Sequence, residues 1–162
     1  MITHQRLLDL LAYDPETGVF TWRVNRGGMR AGQEAGCALG DRYCQIMLDY
    51  KHYSAHRLSV FYTTGKWPDA VVDHITYGEN SDAVSNLRSA TWQQNRWNTP
   101  PKIGHSKWKG VTYDKGRTKC WKITFKLPSG PIIQKRFADE REAAEEYMFL
   151  ALEHHGEFVR LE

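Results

Sequence analysis

Between Asp73 and Asn98 the chain reads DHITYGENSDAVSNLRSATWQQNRWN, a stretch poor in apolar residues although it lies mid-chain. Four of its residues suit one chemistry. Asp73 and the side-chain oxygen of Asn95 are hard ligands, the kind Mg²⁺ takes while keeping positions open for water and phosphate oxygens. His74 is the residue type that deprotonates an attacking water, since an unperturbed imidazole titrates near neutrality. The carbonyl of Asn86 is suited to hold one ring nitrogen of His74 protonated, which leaves the other as acceptor. A metal clamping a phosphodiester stabilises the charge that develops on the leaving oxygen. The set therefore points to metal-assisted phosphodiester hydrolysis, with Mg²⁺ or another divalent cation such as Mn²⁺ as cofactor.

The flanking residues supply elements to position these groups. Val71–Val72 is strand-like and feeds Asp73–His74, and Asn86–Leu87–Arg88 reads as a short second strand after a polar loop. Thr91 with Gln94 makes a capping-box start for a helix that places Asn95 and Asn98 on one face at i,i+3. A hairpin followed by a helix is expected to bring Asp73, His74, Asn86 and Asn95 towards one cleft.

In this order and spacing the four residues resemble the HNH nuclease motif in its H-N-N form, found in phage and intron-encoded homing endonucleases. The wider signature AHRLSVFYTTGKWPDAVVDHI…SNLRSATWQQNRWN is similar to the same group over about residues 55–98. The resemblance implies an α+β fold with a ββα-metal (His-Me finger) core and a DNA endonuclease acting through one metal ion. Asp73 and Asn95 match its metal ligands, His74 its general base and Asn86 the residue that orients the base. Asn98 matches a second helix asparagine, and His56 a position commonly filled by histidine, with no step assigned to it. TYGEN at 76–80 replaces the group's Asn-Gly-Asp-rich turn.

Upstream, Thr3–Leu11 reads as a short capped helix, DPETG at 14–18 as a turn and VFTWRV as a strand. Gly27–Gly40 reads as a loop, RYCQIML and HYSAHRL as a hairpin, and RLSVFYTTG as a short helix ending at Gly65. Phe20 and Trp22 are expected in the core. Arg23, Arg26 and Arg30 are possible backbone contacts for a polyanion, although isolated surface arginines are common.

Downstream, TPPKIGHSKWKG reads as a linker, with two prolines, glycines and no apolar period. KGVTY, CWKITFK and IIQKRF are three strands, and DEREAAEEYMFLALEHHG is a helix with an Asp139/Glu142 capping box and a stop at Gly156. Its apolar face is Ala143, Ala144, Tyr147, Met148, Leu150 and Ala151. In CWKITFK the alternation sends Trp121, Ile123 and Phe125 to one face and Lys122, Thr124 and Lys126 to the other. A small sheet with such a basic row suits a DNA major groove. IIQKRF fits either phase.

This unit resembles the APETALA2-type DNA-binding domain over about residues 106–160, through KGV at 109–111, WKITFK at 121–126, RF at 136–137 and EAAEEY ending in Tyr147. The resemblance implies DNA contacts from Lys109, Gly110, Thr112, Lys122, Thr124 and Lys126, with Arg136 and Tyr147 beside them. The arginine-rich first strand of plant members is missing here.

Composition agrees with a packed chain: 162 residues, 41% hydrophobic and 25% charged, at a net charge of +3. The charge is unevenly spread. Residues 1–98 hold ten Lys/Arg and ten acids, residues 99–136 ten Lys/Arg and one acid, and residues 137–162 two Arg and eight acids. A basic block followed by an acidic helix predicts a polyanion on one face. No apolar run approaches a membrane span, no signal-peptide pattern opens the chain, and three cysteines form no CxxC pair. The expected organisation is a nuclease domain over 1–98, a linker over 99–107 and a DNA-binding domain over 108–162. Double-stranded DNA is the expected partner, the cytoplasm the expected compartment, and monomer or homodimer both fit. A DNA-binding regulator without activity and an RNA-binding module are the rival readings.

Overall fold

The structure, a computed structural model, describes residues 1–39, 43–76, 81–101 and 104–160. Residues 77–80 of the TYGEN loop and 102–103 of the expected linker lie outside this description. The fold is α+β. Among the described residues it has small antiparallel sheets and four α-helices, none of them long and apolar enough to cross a membrane. The chain divides into two compact units, Met1–Thr91 and Trp92–Glu162.

In the first unit, Thr3 caps helix α1 (His4–Leu10) by accepting the Arg6 N–H at 3.2 Å. Strands β1 (Leu11–Tyr13) and β2 (Phe20–Trp22) pair around the Asp14–Gly18 turn. Then β3 (Cys37–Leu39), β4 (Tyr43–Leu48) and β5 (Lys51–Ser54) form a meander. The two-residue connection Asp49–Tyr50 has φ of 46° and 64°, the left-handed pair that a tight hairpin turn demands. Helix α2 (Ala55–Thr64) follows and stops at Gly65, φ 71°.

The structure corrects one expectation here. HYSAHRL is strand only to Ser54, and Ala55 already opens α2. The reason is burial: Ala55, Leu58 and Phe61, spaced three apart, enter the core with Leu7, Leu11, Phe20, Ile46 and Leu48, and only a helix puts them on one stripe. From α2, Arg57 donates to the carbonyls of Pro68 (2.8 Å) and Ala70 (3.2 Å). Those bonds deliver the chain into β6 (Val71–His74), which pairs with β7 (Leu87–Ala90) after a 3₁₀ turn at Val84–Asn86.

The second unit starts with α3 (Trp92–Trp97), so the division falls seven residues before the expected end of the first domain. The ring of Trp97 stacks on His155 (centroids 4.2 Å, 15°), and Lys109 Nζ donates to the carbonyls of Trp97 and Thr99. Strands β8 (Val111–Tyr113), β9 (Trp121–Lys126) and β10 (Ile132–Phe137) form a sheet in the order β10-β9-β8. Helix α4 (Glu140–His155) is capped by Asp139, which accepts from Arg141 N and Glu142 N, and it lays Ala143, Ala144, Tyr147, Leu150 and Ala151 on Val111, Ile123 and Phe125. Part of the expected linker belongs to this unit: Ser106 is buried and donates to Glu140 at 2.8 Å, and Trp108 packs on the core.

Candidate functional site

The β6–β7 ladder sets Asp73 opposite Arg88 and His74 opposite Leu87. Both Asp73 and His74 are 1% exposed. A buried carboxylate needs a charge partner, and Arg88 Nε donates to Asp73 Oδ2 at 3.0 Å. Neighbouring residues of a strand point to opposite faces, and His74 has a different partner: its Nε2 lies 2.8 Å from Asp82 Oδ1. A carboxylate in that place holds the ring's orientation and stabilises the imidazolium when a proton arrives.

Asn86 does something other than expected. Its Oδ1 accepts from the Thr76 N–H and the Thr76 hydroxyl, both at 2.9 Å, and its Nδ2 donates to the carbonyls of Thr76 (2.7 Å) and Ser81 (2.9 Å). Two donors and two lone pairs are all that a carboxamide has, which leaves no bond for His74. Asn86 is thus a staple across the loop between β6 and β7. It holds Ser81, the neighbour of Asp82, and the orienting contact on His74 falls to Asp82.

The N-terminal hairpin braces the same loop. The hydroxyl of Tyr13 donates to the Asp82 carbonyl at 2.9 Å. Gly18 sits at φ +76°, and a Cβ there would stand 2.3 Å from Ala83 N and 2.4 Å from the Asp82 carbonyl carbon. A glycine is needed for both reasons: the left-handed backbone and the close approach.

His56 enters from α2. Its ring centroid is 5.1 Å from that of His74 at 65°, it is 9% exposed, and its Nδ1 is buried without a hydrogen-bond partner. Burial first, then the adjacent His74, push its pKa down to about 4, so the ring is neutral at physiological pH. The ring of Tyr43 lies 5.7 Å from His56 and 6.0 Å from His74. One ligand atom from each of His56, His74 and Asp82 lies within 4.8 Å of the others, the single such metal-capable group among the described residues. A cavity of about 160 Å³ opens beside Asp82, lined also by Ser81, Cys44, Glu34 and Gly18. Burial, and then Asp82, raise the Cys44 thiol to about 11, so this cysteine is not a thiolate.

Compared with known proteins, the chain matches no family model, no curated sequence and no solved structure. What it does must be argued from its own side chains.

Asn95 stands half-buried on α3, in the second unit, and Asn98 is 3% exposed just past that helix. In the sheet, the register resolves the phase of β10. Arg136 lies beside Lys122, whose other neighbour is Thr112; Gln134 lies beside Thr124, and Ile132 beside Lys126. These residues share the face away from α4, while Ile133 and Phe137 pack in the core and Lys135 pairs with Glu146 of α4. Thr124 and Lys126 are exposed, and Lys122 is half-buried. The Thr112 hydroxyl donates to the Lys122 carbonyl at 3.2 Å, and Arg136 Nη2 to Asp114 Oδ2 at 2.7 Å.

Two other residues of that set are structural. Lys109 is tied to two main-chain carbonyls, and burial, then Arg160, lower its pKa to about 8. Gly110, φ +73°, would put a Cβ 2.0 Å from the Tyr147 ring, so it makes room for Tyr147. In the first unit, Arg23 donates to the Leu11 carbonyl (2.9 Å), and Arg26 pairs with Asp49 (3.4 Å).

Proposed function

We propose that the chain is a DNA endonuclease of the HNH type, built on a ββα-metal site, whose C-terminal sheet binds duplex DNA. The observation that carries this reading is the buried Asp73–His74 pair at the end of β6, with His74 held by Asp82 and Asp73 by Arg88. Burying an acid and an imidazole side by side is expensive, and a catalytic task accounts for it better than stability does.

His74 accepts a proton from water as the water oxygen bonds to phosphorus and the bond from phosphorus to one bridging oxygen breaks. Asp82 keeps the ring in place and stabilises the imidazolium that forms. Asp73 is the carboxylate for a divalent cation, and Arg88 holds it from Oδ2. Asn95 is the second ligand that the sequence resemblance implies. Bound Mg²⁺ would neutralise charge on the phosphate, as Mn²⁺ also would. Lys122, Lys126 and Arg136 on the outer sheet face supply the positive charge for DNA phosphates.

The test is incubation of supercoiled plasmid with the purified chain in Mg²⁺ or in EDTA, beside His74→Ala. Relaxed or linear product that needs Mg²⁺ is expected, and a loss of about 10²–10⁴ in rate for the variant. Equal cutting by His74→Ala would remove His74 as the base. DNA binding with no cutting in any metal would leave a DNA-binding regulator.

A further inference from the structure

We propose that His56, His74 and Asp82 form a transition-metal site, taking Zn²⁺ or Co²⁺, that is separate in chemistry from the oxygen ligand Asp73. Two imidazoles and one carboxylate are a donor set that zinc favours and Mg²⁺ does not. The set comes from three places in the first unit: His56 on α2, His74 at the end of β6 and Asp82 on the loop after it.

Two observations converge. The ligand atoms already lie within 4.8 Å of one another. Two ligands on one tetrahedral zinc stand about 3.3 Å apart for bonds near 2.0 Å, so the longest separation closes by at most about 1.5 Å. The second observation is independent: His56 is 91% buried, being 9% exposed, and its Nδ1 has no hydrogen-bond partner. A buried ring nitrogen without a partner is rare in a native fold, and a metal bond would satisfy it.

Occupancy would have a consequence for the reaction. The imidazole that accepts the proton from water would instead share its electron pair with zinc, and Asp82 would leave its hydrogen bond for the metal. Zn²⁺ at this site therefore switches off cleavage supported by Mg²⁺. That effect rests on the endonuclease reading; the binding does not.

The experiment is titration of the metal-free chain with Co²⁺, followed by the visible d–d bands of four- or five-coordinate cobalt, then displacement by Zn²⁺. One equivalent is expected to saturate the bands. His56→Gln and Asp82→Asn should each weaken binding at least about 100-fold, whereas His52→Gln, on exposed β5, should leave it unchanged. Far-UV circular dichroism identifies a variant that fails to fold, and the other variant then decides. Weak octahedral bands alone in the wild type, or strong bands that survive loss of either ligand, overturn the site. A chain that binds Co²⁺ as described but cuts no DNA keeps the site and loses the endonuclease reading. A chain that cuts DNA without these bands does the reverse.

Discussion

Asp82 touches His74 with its side chain and Tyr13 with its carbonyl, so one residue joins the site to the N-terminal hairpin. Removing its charge while keeping its shape separates those two jobs. Asp82→Asn keeps the carbonyl contact and should fold normally, yet cleavage should fall about 10–100-fold; a wild-type rate in a plasmid-nicking time course would show that Asp82 does not position the base. This residue was not legible in the sequence. An acid eight positions after a histidine, inside a polar loop, looks like any surface aspartate until the hairpin folds it back. Asn86 was legible as important and not in its role, because a pattern of residue types does not reveal which partners exhaust a carboxamide. Asp73 and His74 stand out in the sequence as candidates because hard-ligand and base types adjoin at the end of a strand-like run.

Helices and strands were easier to read where capping and alternation agreed. Asp139 begins α4, Gly156 ends it, and Ile123 and Phe125 alternate inward on β9, all as periodicity predicts. The phase of β10 was hidden because both of its alternating sets mix apolar and polar residues. The start of α2 was hidden because its burial depends on distant β4. The N-terminal hairpin gave no functional signal, although its turn meets the Asp82–Ala83 backbone at Gly18. Gly18→Ala should cost about 1–3 kcal/mol from the left-handed φ, measured by urea unfolding, and should lower cleavage by shifting Asp82. Unchanged cleavage in a destabilised variant would show that the brace matters for folding alone.

In the second unit, His155 lies between Trp97 and Phe125, and burial, then Lys109 and His154, lower its pKa to about 4. Its unfolded value is near 6.5, so the unfolded chain binds the proton first. The stability is fully present above pH 6.5 and is lost as pH falls towards 4, by up to about 1.4 kcal/mol per unit. Thermal melts at pH 7 and 5 should show a larger fall for wild type than for His155→Phe; equal falls would mean that other groups set the acid sensitivity.

At the scale of the whole chain, charge is segregated along the sequence, with ten basic residues and one acid between 99 and 136. The fold assigns that charge unequally. Lys122 and Lys126 face outward from the sheet, while Lys109 is spent on main-chain carbonyls. DNA affinity should therefore fall steeply with salt, and Lys126→Ala should lower the log–log slope by about 1. Lys109→Ala should instead lower the melting temperature and leave the slope nearly unchanged. Fluorescence anisotropy on labelled duplex at several salt concentrations distinguishes them, and an equal slope change for both variants would refute this assignment of the sheet face.

In the proposed reaction the His74 imidazole takes the proton from the attacking water. His74→Gly removes the ring and leaves a ring-sized space, so plasmid cleavage in Mg²⁺ is measured with and without added imidazole. Cutting should be lost in the variant and should return in part with imidazole. Cutting by His74→Gly at the wild-type rate, with no imidazole present, would contradict it.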